Sequence, residues 1–177
     1  MLYTIPYASP LGGLWLAADD RGVTGVWFAG EKYFPNWRGV SRKERETPIL
    51  RETKRWLDIY FHGAEPDFMP PLHPIGSDFQ QVVWKILRQI PYGTTRTYGD
   101  LAAQIARARG VAKMSAQAVG GAVGHNDISI LIPCHRVVGK SGSLTGYAAG
   151  LEKKIRLLTL EKVDMSRFFV PKKGTAL

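Results

Sequence analysis

The sequence predicts an α/β unit followed by a mainly α unit. Three features of the chain point there: short β-prone runs confined to positions 4–28, four prolines crowded between positions 66 and 74, and capped amphipathic segments from Ser77 onward. The runs are 4–8, 14–18 and 23–28. Asp19-Asp20-Arg21-Gly22 separates the last two with the turn chemistry of a hairpin, so a small antiparallel sheet is expected. Thr47 before Pro48 is a cap followed by the residue best tolerated at the first helical position. Ile49, Thr53, Trp56, Leu57 and Tyr60 then recur at helical spacing up to Gly63, and one face of that helix can cover the sheet. Pro66, Pro70, Pro71 and Pro74 bring four rings without amide donors, which leaves little room for helix or ladder. Residues 65–76 therefore read as a linker between a domain of residues 1–64 and one of residues 77–164, with 165–177 as a tail.

In the second half, Ser77 with Gln80 makes a capping box, and Phe79, Val82, Val83, Ile86, Leu87 and Ile90 fall on one helical stripe that stops at Pro91. Thr97 with Asp100 caps a second segment carrying Leu101 and Ile105, and Ser115 begins a third that runs through Val119 to Val123. The basic connector Arg107-Ala108-Arg109-Gly110 with Lys113 makes this pair a helix-turn-helix variant. Positions 128–132 form a short apolar run ended by Pro133, and Leu151, Ile155 and Leu158 mark a last helix.

Composition narrows the class. Over 177 residues, 45% apolar content with 22% charge is that of a globular protein rather than a disordered or fibrous one. The formal charge is +9, and residues 1–75 hold nine basic and nine acidic side chains, so the whole excess sits in the second half. That asymmetry suggests an anionic partner, nucleic acid or membrane surface, docking on one part of the molecule. A single cysteine, Cys134, excludes an intramolecular disulfide framework and argues against a thiolate-rich zinc site. No apolar run reaches bilayer-spanning length, and the start lacks the basic-then-apolar order of a signal peptide, so the expected compartment is a reducing cytosol, or a nucleus if there is one.

Cys134 is the residue richest in chemistry. It reads either as a buried structural thiol or as a nucleophile, since His135 and Arg136 follow at once and a base or a cation favours thiolate. His125 and His135 do not fall at ligand spacing from Cys134, so no metal and no cofactor is expected. Tyr98 opens the first helix of the pair, as a core residue or as an outward phenol. The third segment, Ser115-Ala116-Gln117-Ala118-Val119-Gly120-Gly121-Ala122-Val123, has no Lys or Arg. Its small side chains suit tight packing in the core, or close approach to a narrow groove with only Gln117 long enough to reach a base stack. Asn126-Asp127 offers a turn or a side chain that fixes the run leading to Cys134, and Glu161 reads as a surface residue or as the group orienting His135.

Ile132-Pro133-Cys134-His135-Arg136-Val137-Val138, with Gly142, Thr145-Gly146-Tyr147 and positions 151–161, closely resembles the active-site region of the O6-alkylguanine-DNA alkyltransferases, also called methylated-DNA-protein-cysteine methyltransferases. The likeness extends back through Phe79-Gln80, Val83-Trp84, Ile90-Pro91-Tyr92-Gly93, Tyr98-Gly99-Asp100-Leu101-Ala102 and Ala118-Val119-Gly120 with Asn126, and more weakly to Ser9-Pro10-Leu11-Gly12 and positions 14–18. It implies an RNase H-like α/β domain followed by a helical domain with a winged-helix-like DNA-binding unit. It also implies a monomer that flips O6-alkylguanine out of duplex DNA through the minor groove and takes the alkyl group irreversibly. By this resemblance Cys134 is the acceptor, His135 the base acting through a water, Glu161 the group orienting His135, and Asn126 a buried support. Tyr98 would assist nucleotide rotation and proton delivery to the departing guanine. Backbone groups at Cys134, Val137 and Ala148 would line the guanine site, with Tyr147, Val123 and Ser129 around the alkyl pocket. Gln117, Ala116, Gly120, Gln80 and Gly99 would face DNA.

The chain departs from the family pattern in places. Gln117 stands where an Arg usually fills the gap left by the flipped base, and it brings no charge. The connector, positions 106–114, is longer and basic, so Arg107, Arg109 and Lys113, with Lys140, are expected to supply phosphate contacts. Asp127 replaces a common proline, Ala148 a frequent serine, and the lone cysteine means that the zinc site of some relatives is absent. Two other readings stay open: a lesion-recognising DNA-binding protein without transfer chemistry, and a helix-turn-helix regulator with Cys134 as a sensor.

Overall fold

A computed structural model describes residues 1–172 of the chain. They form two compact units. The first holds Met1–Ile75 together with Asp127–Leu131; the second holds Gly76–Asn126 and the chain from Ile132 on.

In the first unit β1 (Leu2–Ser9), β2 (Gly12–Ala18) and β3 (Val23–Phe28) make an antiparallel meander. The Asp19 carboxylate accepts the amides of Arg21 and Gly22 at 2.9 and 3.0 Å and so builds the turn between β2 and β3. A fourth strand, β4 (Arg42–Glu44), pairs parallel to β1, giving the order β3-β2-β1-β4. The sheet is therefore mixed, not purely antiparallel as expected. Arg42-Lys43-Glu44 has no apolar alternation to betray a strand; backbone pairing holds it, helped by the Arg42 guanidinium on Thr4 Oγ1 at 3.0 Å and over the Trp37 ring at 4.5 Å.

Helix α1 (Pro48–Phe61) starts where the cap requires, the Thr47 hydroxyl accepting the Leu50 amide. Its buried stripe is Leu50, Thr53, Trp56, Leu57 and Tyr60, and Ile49 lies half-exposed beside it. With Leu14, Leu16 and Val26 these residues form the core.

All six residues of β3 are buried although it is an edge strand, because two distant segments cover its outer edge. Val23 donates to Pro71 O and accepts from His73, both at 2.8 Å, so the proline-rich stretch expected as a linker is attached to the sheet at Leu72. Further along, Val26 donates to Asp127 O at 2.8 Å and accepts from Ser129 at 3.0 Å, and the Trp27 indole donates to Asp127 Oδ1 at 3.0 Å. Ile130, buried and β-branched, follows with φ of 73° inside a three-residue turn closed by the Leu131 amide on Ser129 O at 2.9 Å. Such a conformation costs on the order of 1–3 kcal/mol and persists only when its surroundings over-determine it.

The second unit contains α2 (Asp78–Leu87), α3 (Tyr98–Arg109), α4 (Ala116–Gly124) and α5 (Leu151–Leu160). Both expected capping boxes are present, Ser77 with Gln80 and Thr97 with Asp100, and Gly110 ends α3 in the left-handed region that favours glycine. Trp84 on α2 donates its indole proton to Ala122 O at 2.9 Å, tying α2 to α4. A short parallel pair, β5 (Arg96–Thr97) and β6 (Val137–Val138), joins the start of α3 to the chain just after Cys134. Part of the stretch expected as a tail belongs to the core: Met165 and Phe168 pack on Val138, Leu144, Leu158 and Val163, and Leu144 donates to Phe169 O. Positions 173–177 of that stretch lie outside the described residues. Among the described residues no helix is long and apolar enough to cross a membrane.

Candidate active site

Pro133 sits at the centre of a tight turn in which the Cys134 amide reaches back to Ile132 O at 2.8 Å, and Cys134 opens a single 3₁₀ turn through Arg136. This turn aims consecutive side chains in different directions. Cys134 is 7% exposed, so the residue is buried. Asn126 Nδ2 donates to Ile132 O at 2.8 Å and to Cys134 Sγ at 3.2 Å, a donor that favours thiolate over thiol.

His135 and Glu161 are fully buried side chains, 2.6 Å apart through Nε2 and Oε1. A carboxylate accepts only, so Nε2 carries the proton and Nδ1 keeps the ring's lone pair for base chemistry. Arg136 grips the same carboxylate with Nε at 2.8 Å and Nη2 at 3.0 Å and gives Nη1 to Ile90 O at 2.7 Å. The Gly93 amide adds a fourth donor at 3.2 Å. The Ile90-Pro91-Tyr92-Gly93 motif thus wraps this carboxylate. Gly93 has φ of 72°, and a Cβ there would lie 3.0 Å from Glu161 O. Burial pushes the Glu161 carboxyl up, but His135 and Arg136 outweigh it and bring it down to about 2. Burial lowers the His135 imidazole, and its bond to Glu161 only partly offsets that, so the ring stays neutral near pH 7.

Tyr98 begins α3 directly after Thr97, which pairs with Val138. Burial, and then the negative charge of a Cys134 thiolate, push its phenol up to about 12. It therefore keeps its proton near neutral pH. The Tyr147 ring lies edge-on to His135 with centroids 6.5 Å apart.

Lys154 was not singled out by the sequence. Its ammonium is fully buried and donates to Val137 O, Thr145 O and Gly146 O at 2.5, 3.0 and 3.1 Å, which pins the loop carrying Tyr147 to β6. Burial lowers it to about 8 and the Cys134 charge opposes that. The Val137 carbonyl, expected to face guanine, already holds this ammonium and has one lone pair left for a base.

The expected DNA-facing residues divide. The start of α4, 115–118, is exposed with Ala116 and Gln117 on it, whereas Gly120 is buried with Val119, Ala122 and Val123 on the packing face. Gly120, expected to face DNA, is therefore corrected to a buried position beside Val119. Gln80 is half-buried and spends its carbonyl on the Ser77 amide at 2.9 Å. Gly99 and Ala116 line a groove of about 970 Å³ with Ala102, Ala106, Arg107 and Lys113. Arg107, Lys113 and Lys140 are exposed, and Arg109 stacks on Phe79 with 5.4 Å to the ring centroid. Ala148 is half-buried after Tyr147, and Ser129 belongs to the first unit.

Residues 1–74 match the ribonuclease-like domain, and residues 78–163 the DNA-binding domain, of 6-O-methylguanine DNA methyltransferase. The chain is 44% identical to the methylated-DNA–protein-cysteine methyltransferase of Haemophilus influenzae over 92% of this chain and 87% of that protein. It belongs to the 6-O-methylguanine DNA methyltransferase family. Another relative, the constitutive methylated-DNA–protein-cysteine methyltransferase of Bacillus subtilis, is 39% identical over 93% of this chain and 98% of its own length. Among solved structures, the Mycobacterium tuberculosis O6-methylguanine methyltransferase superposes with a TM-score of 0.78 at 40% identity, covering 98% of this chain and 97% of that one. The same mycobacterial protein in complex with DNA also gives 0.78, at 38% identity and 94% coverage of each chain.

Proposed function

We propose that this chain repairs DNA by direct reversal, moving the alkyl group of O6-alkylguanine, methyl by default, onto Cys134. The observation that carries the reading is the buried sulfur beside an asparagine donor, followed at once by a neutral histidine whose Nε2 proton is tied to an ionised carboxylate. Cys134 is 7% exposed, so an alkyl carbon on a base in duplex DNA reaches its sulfur only after that base is taken out of the stack. His135 Nδ1 takes the thiol proton, through a water where the distance requires one. The sulfur then forms a bond to the saturated carbon, the carbon–O6 bond breaks, and its electron pair passes to guanine, where the Tyr98 phenol donates a hydrogen bond to the developing charge. The thioether formed has no carbonyl for water to attack, so each molecule acts once. An acceptor in this setting separates the reading from a lesion-binding protein without transfer chemistry and from a regulator that only senses. The protein works as a monomer in the compartment that holds the DNA, the cytoplasm or a nucleus. Titrating O6-methylguanine duplex against the protein checks this: restored guanine should equal the protein added, and catalytic turnover would contradict it.

Tyr98→Phe keeps the ring and loses the donor. Transfer at saturating DNA is expected to slow by roughly tenfold with little change in affinity; equal losses in both would assign Tyr98 to packing. The exposed start of α4 is neutral, and Arg107 and Lys113 flank it in the same groove. Gln117→Arg should therefore tighten binding of lesion duplex by roughly five- to tenfold, with a steeper loss of affinity on adding salt. Unchanged affinity and salt slope would remove position 117 from the interface.

A further inference from the structure

We infer that Trp27 and Asp127 are positioning residues for the acceptor, setting where Cys134 sits by holding the chain between Asn126 and Ile132 in register on β3. The inference rests on the reading of Cys134 as alkyl acceptor.

Asn126 grips the far end of this stretch through Ile132 O at 2.8 Å and touches Cys134 Sγ at 3.2 Å, so residues 126–132 form a loop closed at its base. Its body, Asp127–Leu131, is part of the first unit, where Val26 exchanges two backbone bonds with Asp127 and Ser129 and makes a bridge to Ile128. The Trp27 indole, 6% exposed, adds a side-chain bond to this seam, 3.0 Å to Asp127 Oδ1. The loop then passes through Ile130 at φ of 73°, a turn that reverts unless both flanks are held. A proline at position 127 would stiffen the entry to the loop through its own ring. The aspartate supplies that constraint through Trp27 instead. If Asp127 lets go, the strained turn relaxes and carries the Asn126 amide away from Sγ. This gives the first unit, which has no positive excess to offer DNA, a part in the reaction.

The test compares Asp127→Ala, Asp127→Asn and Trp27→Phe in the full chain. Single-turnover transfer from saturating O6-methylguanine duplex should fall by about three- to tenfold in Asp127→Ala and Trp27→Phe, the rate equivalent of one hydrogen bond. Affinity for unmodified duplex should stay the same, and Asp127→Asn, which keeps the acceptor oxygen, should restore the rate. Reaction of Cys134 with iodoacetamide without DNA should shift to higher pH in the two slow variants. A parental rate in both Asp127→Ala and Trp27→Phe, or a loss in Asp127→Asn equal to that in Asp127→Ala, overturns the inference. A parent that reacts with iodoacetamide but takes no methyl group overturns the transfer reading instead, and the iodoacetamide profiles still decide the role of the two residues.

Discussion

Glu161→Gln is expected to lower the methyl-transfer rate by about 10²-fold and the stability of the second unit by about 3–5 kcal/mol. Both losses have one cause. The carboxylate receives four donors, from His135, from two nitrogens of Arg136 and from the Gly93 amide, and an amide side chain can accept at one atom only. Arg136 would be left as a buried cation without its charge partner. His135 would lose the acceptor that fixes its tautomer, so Nδ1 would no longer be held as the base. The pH dependence has a definite sign. The Glu161 carboxyl is held at about 2 in the fold against 4.5 ordinarily, so its contribution, on the order of 3 kcal/mol, is complete above about pH 4.5 and is lost as pH falls towards 2. Urea titrations between pH 2 and 7 read this directly: the parent should lose stability across that window and Glu161→Gln should lose less. Parallel curves would mean that Glu161 is not the ionised partner of Arg136 and His135.

Cys134→Ser is expected to abolish transfer outright and to leave DNA affinity within about twofold, since Cys134 is buried and the proposed contacts to DNA come from exposed cations and the start of α4. A hydroxyl accepts the Asn126 amide as a thiol does, so the turn survives. What is lost is the nucleophile: an alkoxide is inaccessible near neutral pH, and no oxygen in this position matches a thiolate attacking saturated carbon. Restoration of guanine within the lesion duplex, followed by mass, and binding measured on the same duplex separate the two effects. A slow but real transfer would show that another side chain can take the group.

Much of this was legible before the structure. The caps at Thr47, Ser77, Thr97 and Ser115 were readable because a hydroxyl satisfying the amide three residues on is a local interaction. The Pro-Cys-His-Arg core named its own chemistry, and the structure places its histidine on Glu161, 26 positions away. Long-range charge pairing hides better. Lys154 follows Lys153 on an amphipathic helix and reads as a solvated lysine, yet three carbonyls, one on β6 and two in the loop before Tyr147, make it a buried one. β4 is invisible because Arg42-Lys43-Glu44 owes its strand to pairing with Leu2, Tyr3 and Thr4, distant in sequence. The small residues of α4 supported two readings, core and groove; Gly120 is buried on the packing face, while Ala116 and Gln117 are exposed and open to the other reading. The attachment of Asp127 to Trp27 spans 100 positions, and no pattern within a window could show it.

The intact mass of the protein after incubation with excess O6-methylguanine duplex tests the central claim most directly. One added methyl group per chain, mapped by peptide analysis to Cys134 and absent from Cys134→Ser, is the predicted result. An unmodified chain beside repaired DNA, or a methyl group on any other residue, would contradict it.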